Sequence, residues 1–258
     1  MKFLTATVSA IALTVSTGAA VADTVTILAA DLPPMVYSDG SGREAEIVTR
    51  VMEHCGHDVN YVVQPFTRHW ATYEGGTGDA VMTVPVGMPM DGAQSAPYIA
   101  YQNGVSFLAS SGSDYGALAD LSGLSIAAFE GASGILPGLS DAQGSFGSYR
   151  EMADQETQSK LLFGGRVDGI LGDGMLFAAY AASLRDAGAS AGVDASQALE
   201  FRAIFEPSNY AMNFRNPDMS ADFDRCFSEL EADGAIAAIN TKWIDKYRDS
   251  LADNYLSM

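Results

Sequence analysis

The chain has 258 residues, 32 acidic against 14 basic side chains, a formal net charge of −18 and 48% hydrophobic residues. A chain this acidic lacks the basic face that phosphate backbones and anionic lipid require, which excludes nucleic acid and anionic membrane surfaces as partners. Its apolar content is ample for one large domain or for two lobes of about 100 residues each.

The N-terminus reads as a secretory signal. Lys2 precedes an apolar run from Phe3 to Val15, and Ala20-Val21-Ala22 forms a small-x-small cleavage site before Asp23. The run is too short and too rich in Ser and Thr to span a bilayer, and no later stretch approaches the ~20 apolar residues a spanning helix needs. No Cys stands at the cleavage site to carry a lipid. The expectation is a soluble periplasmic protein cleaved after Ala22. In that oxidising compartment Cys55 and Cys226 either pair in one disulfide or sit as two separate buried thiols.

Thr24 to Ala30 is a short β-rich run that predicts a first strand ending at Asp31. Consecutive prolines force Leu32 to Tyr37 into an extended loop, and Ser38 to Gly42 reads as a turn. Apolar residues at Ala45, Val48, Val51, Met52 and Cys55 predict a helix that stops at Gly56. Val59 to Val63 predicts a second strand, Thr67 to Tyr73 a second helix and Ala80 to Val84 a third strand. Strands alternating with helices in this way predict a parallel sheet with right-handed crossovers. Met88 to Gln94 reads as a loop, and Val105 to Ala109 as an apolar strand crossing between lobes. Leu118 to Leu121 predicts a short helix and Ser125 to Phe129 a strand, followed by the glycine-rich turn Glu130 to Gly134. A Gly/Ser-rich loop covers Ser140 to Ser148, and Asp154 is an N-cap for a helix reaching Phe163.

The segment LLFGGRVDGILGDGMLFAAY, Leu161 to Tyr180, organises the rest. It reads as a helix end, a Gly-Gly stop, a buried strand from Val167 to Leu171, and Gly-Asp-Gly opening another helix. Asp173 then stands at a strand tip and a helix start, the edge where ligands bind in open α/β sheets. GGTGDAVMT, ninety residues earlier, repeats the glycines, the aspartate and the short strand of GGRVDGILG. Two copies predict two similar lobes with a ligand cleft between them. Phe201 to Phe205 and Tyr210 to Phe214 predict strands, the second returning to the first lobe, and Met219 to Trp243 is helical. The first lobe is expected over residues 23–105 and 206–258 and the second over 106–205, with a two-strand hinge suited to closure.

With that order in place the chain resembles a type II periplasmic solute-binding protein, of the family that serves ABC importers of polar amino acids. Asp31 to Tyr37 is similar to that family's proline-aromatic loop. Gly78-Asp79-Ala80-Val81 and Val167-Asp168-Gly169-Ile170 resemble its two Gly-x-x-Asp strands, and Ser95-Ala96-Pro97-Tyr98 its Phe-Ser-x-Pro-Tyr segment. Leu230 to Gly234 and Lys242-Trp243 resemble its closing helices. One departure stands out. The amino-acid binders of the family carry an Arg about nine residues before the Pro-Tyr, which pairs with the ligand carboxylate. Met88 occupies that position, and no Lys or Arg occurs between His69 and Tyr149. The nearest replacement is Arg68, in a Pro-x-x-Arg segment similar to one in a divergent branch of the superfamily.

The resemblance implies that Asp173 pairs with a ligand ammonium; as a plain N-cap it would serve the helix alone. Arg68 is the candidate for a ligand carboxylate, or else a surface Arg paired with a neighbouring acid. Tyr37, Trp70 and Tyr98 follow strand tips and offer flat faces to an aliphatic or cationic ligand, or pack in the core. Gly131 and Ser133 present backbone N–H groups to an anion, or form a simple turn, and Thr83 would supply edge groups. Asp79 and Asp168 read as turn stabilisers. Glu53-His54-Cys55-Gly56-His57 matches no closed zinc pattern, and Met82, Met88 and Met90 read as packing rather than a copper site. No cofactor is expected. The fold implied is a two-lobed α/β architecture. The function implied is capture of a small polar solute, an amino acid or amine-bearing molecule, by a monomer that delivers it to an inner-membrane ABC permease. Two other readings remain open: a cyclohexadienyl dehydratase of the same fold, with Glu130 or Asp173 as general acid, and a ligand-sensing subunit.

Overall fold

The computed structural model describes residues 24–251, 255 and 256. The expected signal segment and its expected cleavage point at Ala22 lie outside the described residues. The chain runs β1 (Thr24–Ala30), α1 (Arg43–His54), β2 (Asp58–Gln64), α2 (Arg68–Glu74), β3 (Ala80–Pro85), β4 (Ala93–Gln94), β5 (Ile99–Tyr101) and β6 (Asn103–Leu108). It continues with β7 (Ser125–Phe129), α3 (Ala132–Ile135), α4 (Leu139–Ala142), β8 (Ser148–Met152), α5 (Gln155–Phe163) and β9 (Gly169–Asp173). Then follow α6 (Gly174–Ala187), β10 (Leu199–Arg202), β11 (Ser208–Phe214), α7 (Pro217–Ala232) and α8 (Ala235–Tyr247).

Two sheets result. The first has the order β2-β1-β3-β11-β4, with β5 also paired to β11, and the second the order β10-β6-β9-β7-β8. In each, the strands that alternate with helices are parallel: β2, β1 and β3 in one, β8, β7 and β9 in the other. The strands next to the crossings are antiparallel to them, β11 on β3 and β6 on β9, because the chain enters each sheet from the opposite lobe. The chain passes between sheets at Gln102, between β5 and β6, and returns between β10 and β11.

The repeated Gly-Asp signature does the same job twice. Asp79 accepts the N–H of Thr26 at 2.8 Å and donates its own N–H to Thr26 O at 2.8 Å. Asp168 treats Ser125 identically, at 2.7 and 2.8 Å. Each aspartate therefore staples the start of its lobe's central parallel strand to the neighbour. The glycines around Asp173 have a packing cause: a Cβ at Gly172 would lie 2.9 Å from Phe177, and one at Gly174 would lie 2.8 Å from Phe201.

Several elements differ from expectation. Among them, β4 lies inside the expected loop 88–94 and α4 enters the expected loop 140–148. β9 stands at Gly169–Asp173 rather than 167–171, and β10 at Leu199–Arg202 rather than 201–205. The strand expected at 105–109 begins at Asn103 and pairs within the second sheet, because Asn103 and Gly104 continue its ladder opposite Asp173 and Gly172. SYREM, Ser148–Met152, forms the edge strand β8, whose exposed and half-buried residues carry no apolar alternation to announce it. The C-terminal helix breaks at Gly234, whose φ of 77° is left-handed, into α7 and α8. Cys55, just past α1, is bonded to Cys226 of α7 across 171 residues of chain, with a Cα–Cα distance of 5.9 Å.

Candidate functional site

The C-terminal tips of the parallel strands in the two sheets face one another, the position where α/β sheets bind ligands. Leu32, Phe66, Thr83, Tyr101 and Tyr210 come from the first lobe and Asn103, Phe129, Gln155, Asp173 and Leu176 from the second. They enclose a cavity of about 20 Å³, space for about one water. An outer space of about 290 Å³ opens beside it, between Asp31, Pro33 and Pro65 on one side and Asp154, Glu156 and Tyr180 on the other, with Phe66 and Gln155 shared. The lobes touch across this cleft. Phe66 meets Phe129 edge-on at 5.9 Å, and Thr67 Oγ1 donates to Glu130 Oε2 at 3.0 Å. The larger groove of about 640 Å³ beside Arg185 lies on the second lobe alone, away from the strand tips.

Asp173 lines the inner cavity and is 2% exposed. It also caps α6, accepting from Met175 N at 2.8 Å and Leu176 N at 3.3 Å. Its other oxygen accepts from Gln102 N, at the crossing, at 2.8 Å. Tyr255 of the C-terminal segment donates its hydroxyl to the same carboxylate at 2.9 Å. Burial pushes Asp173 up to about 6, against the opposing pull of Arg43 and of the Tyr255 hydroxyl. The carboxylate thus ties β9, α6, the crossing and the C-terminus together, all from one strand tip.

Thr83 also lines the cavity, with a φ of 60° that is strained for a β-branched residue. Its hydroxyl turns to Glu44, at 2.9 and 3.1 Å from the two carboxylate oxygens. The Tyr98 and Tyr101 hydroxyls donate to the same Glu44. Glu44 is wholly buried, and burial raises its pKa against the hydroxyls and Arg43. Sequence reading missed Glu44 because the first turn of an amphipathic helix is where a solvated acid is expected. Tyr98 is 3% exposed and packs edge-on against Phe223 as part of this buried network. Neighbouring Arg43, also buried, is committed to Asn240 Oδ1 at 2.9 Å and Ala100 O at 3.3 Å.

The remaining candidates stand elsewhere. Tyr37 sits beside Tyr247, with 3.4 Å between hydroxyls, on a separate space between α6 and α8. Arg68 opens α2 with an exposed side chain that forms no ion pair among the described residues. Trp70 is buried against Phe66 and His69, at 5.1 and 4.9 Å between centroids. The N–H groups of Gly131 and Ser133 both donate at 2.8 Å to Glu151, which also receives the Tyr149 hydroxyl. Burial disfavours ionised Glu151, yet these Ser133, Tyr149 and Gly131 hydrogen bonds prevail and hold its carboxyl below the usual range. His54 bonds Glu229 and Cys55 is in the disulfide, so the His-Cys-Gly-His stretch is spoken for apart from His57. Gln155, Phe129, Tyr101 and Tyr210 line the cavity without any sequence signal: each is an ordinary apolar or polar residue until two distant segments meet.

A two-lobed α/β protein with strand tips facing across a cleft is a ligand-capturing architecture. The model of the bacterial extracellular solute-binding proteins, family 3, matches residues 25–246, and the chain belongs to that family. No curated protein matches the chain by sequence. Among solved structures, an ancestral arginine-binding protein bound to glutamine is 18% identical, with TM-score 0.67 over 86% of this chain and 98% of that one. A histidine kinase sensor domain similar to periplasmic binding proteins is 16% identical, with TM-score 0.70 over 86% and 96%. An ABC uptake transporter substrate-binding protein from Streptococcus pneumoniae with bound histidine is 22% identical, with TM-score 0.63 over 87% and 93%. These likenesses are of fold.

Proposed function

We propose that the protein is the exported substrate-binding component of an ABC importer. It works in the periplasm as a monomer once residues 1–22 are removed. It captures a small polar solute, an amino acid or amine-bearing molecule, between its lobes and presents the closed form to an inner-membrane permease. The observation that carries this reading is the cleft walled from both lobes at their strand tips, lined by Thr83 from the first and Asp173 from the second. The lobes are held by two crossings, so a ligand that contacts both lobes favours the closed state by its differential affinity for that state. The family supports a binding role, and solved structures similar to the chain hold amino acids: glutamine, arginine, glutamate or histidine. Sensing is the second reading, supported by the likeness to a kinase sensor domain.

The test is a thermal-shift survey of the mature protein against amino acids, amines, betaines, small carboxylates and sugars. A ligand at ~100 times its Kd adds about 2.7 kcal/mol to the folded state and raises the midpoint by several degrees. Loss of the ligand-induced shift in Asp173→Ala is expected, measured against that variant's own, lower, unliganded midpoint. A best ligand with no cationic group would remove Asp173 from the role and turn attention to Arg68. Uptake of the ligand abolished by deleting the gene separates transport from sensing.

A further inference from the structure

The charges and hydrogen bonds around the cleft narrow the ligand class, and the inference below rests on the reading that the ligand lies between the lobes. Among the described residues lining the inner and outer spaces there are four carboxylates, Asp31, Asp154, Glu156 and Asp173, and no Lys or Arg. Three of the four are already engaged. Asp154 caps α5 through Thr157, Glu156 pairs with Lys160 at 2.7 Å, and Asp173 is held as described above. The carboxylate of Asp31 makes no hydrogen bond or ion pair among the described residues. The nearest buried cation, Arg43, lines neither space. The backbone amides of the 131–133 turn, the natural seat for a ligand carboxylate, already hold Glu151.

An independent observation points the same way. Gln155 is 5% exposed, lines both spaces, and its Oε1 is buried without a hydrogen-bond partner among the described residues. An unpaired buried acceptor costs free energy until a donor reaches it. A donor arriving between Gln155 and Asp31 also meets the Phe66 and Tyr180 rings that line the same outer space.

We propose that the cleft takes an N–H-bearing organic cation without a carboxylate, a protonated amine or guanidinium, with Gln155 Oε1 as its neutral acceptor and Asp31 as its charge partner. A carboxylate on the ligand would enter spaces lined, among the described residues, by no Lys or Arg, and it would face the field of four acids. A quaternary ammonium would leave Gln155 unpaired.

Isothermal titration of the mature protein with matched pairs tests this: agmatine against arginine, butane-1,4-diamine against ornithine, and choline as the cation without N–H. The expected result is that agmatine or the diamine binds at least about tenfold more tightly than its carboxylate-bearing partner, with choline weaker than either. Gln155→Leu is expected to weaken that binding by about tenfold or more, while its unliganded thermal midpoint stays at or above that of the parent. Gln155→Glu is expected to keep or raise the affinity, and Asp31→Asn to lower it. Tighter binding of arginine or ornithine would overturn the inference and leave the inter-lobe reading standing. Agmatine or diamine affinity unmoved by Gln155→Leu and Asp31→Asn would overturn it as well. No heat from any member at millimolar concentration would overturn the inference alone, because the inter-lobe reading stands with a ligand of another class.

Discussion

The two Gly-Asp strands make the same start and different ends. Asp79 and Asp168 form the same pair of bonds, to Thr26, the third residue of β1, and to Ser125, the first of β7, in similar exposed turns. Four or five residues on, the resemblance stops. At the tip of β3, Thr83 turns its hydroxyl inward to a buried Glu44 and the chain leaves through Pro85. At the tip of β9, Asp173 caps a 14-residue helix and gathers the crossing and the C-terminus. Repetition therefore builds the scaffold, whereas the tips that wall the cleft are individual. A staple needs only one carboxylate beside one N–H, so it recurs; a cleft wall depends on what packs behind it.

The lobes also differ covalently, since the Cys55–Cys226 bond ties α1 to α7 in the first lobe and no free cysteine remains among the described residues. Closing so long a loop is worth about 3–5 kcal/mol in the entropic account. Reduction is expected to lower the first lobe's urea midpoint most. Both tryptophans, Trp70 and Trp243, lie in helices of that lobe, so fluorescence reports it selectively. Identical losses in both lobes would show them to unfold as one unit.

Next in size are the tips. Asp173→Ala strips the cap of α6 and leaves the buried Gln102 N–H without its partner, an expected loss of about 2–4 kcal/mol in urea unfolding. Thr83→Ala removes one hydroxyl from a carboxylate that keeps two tyrosine donors, and about 1 kcal/mol is expected. Equal losses would break the contrast between the tips.

The pH dependence sharpens it. Asp173 is raised to about 6 from its ordinary 3.8, chiefly by burial, so the fold favours its protonated form. Its contribution is complete below the unfolded value and is lost as pH rises through about 6. His69 of α2 runs the other way. Wholly buried, it is pushed by burial from 6.5 down to about 3, against a weaker opposing hydrogen bond with the Met82 backbone. Its contribution is complete above 6.5 and is lost as pH falls toward about 3. Between pH 7 and 5 the two oppose. Asp173→Asn removes the compensating term, so the variant is expected to lose about 1 kcal/mol more than the parent over that interval. A parallel pH profile would show that Asp173 titrates as an ordinary carboxylate.

Effects no larger than that of Thr83→Ala belong to the staples. Asp79→Ala and Asp168→Ala are each expected to cost about 1 kcal/mol, and to agree within about 0.5 kcal/mol. A clear difference would mean that the two copies of the motif are not mechanically equivalent.

The sequence by itself determined the elements and their order. Short apolar strands, the Gly stops after α1 and α5, the Asp154 cap and the doubled Gly-Asp signature are local facts, fixed by backbone preference and spacing within a few residues. They were enough for a two-lobed α/β fold and for picking out Asp173 and Thr83, because a strand tip can be recognised from its own neighbours. The edge strand β8 was hidden because pairing on one side alone demands no apolar pattern. Only the tertiary structure decided what surrounds those tips. Glu44 is 54 residues from Tyr98, Tyr255 is 82 from Asp173, and Gly131 and Ser133 find Glu151 across 20 and 18 residues. Burial and hydrogen-bond saturation are properties of assembled surfaces, and no local pattern encodes them. For the same reason the unpaired Gln155 came to light only once two lobes closed over it.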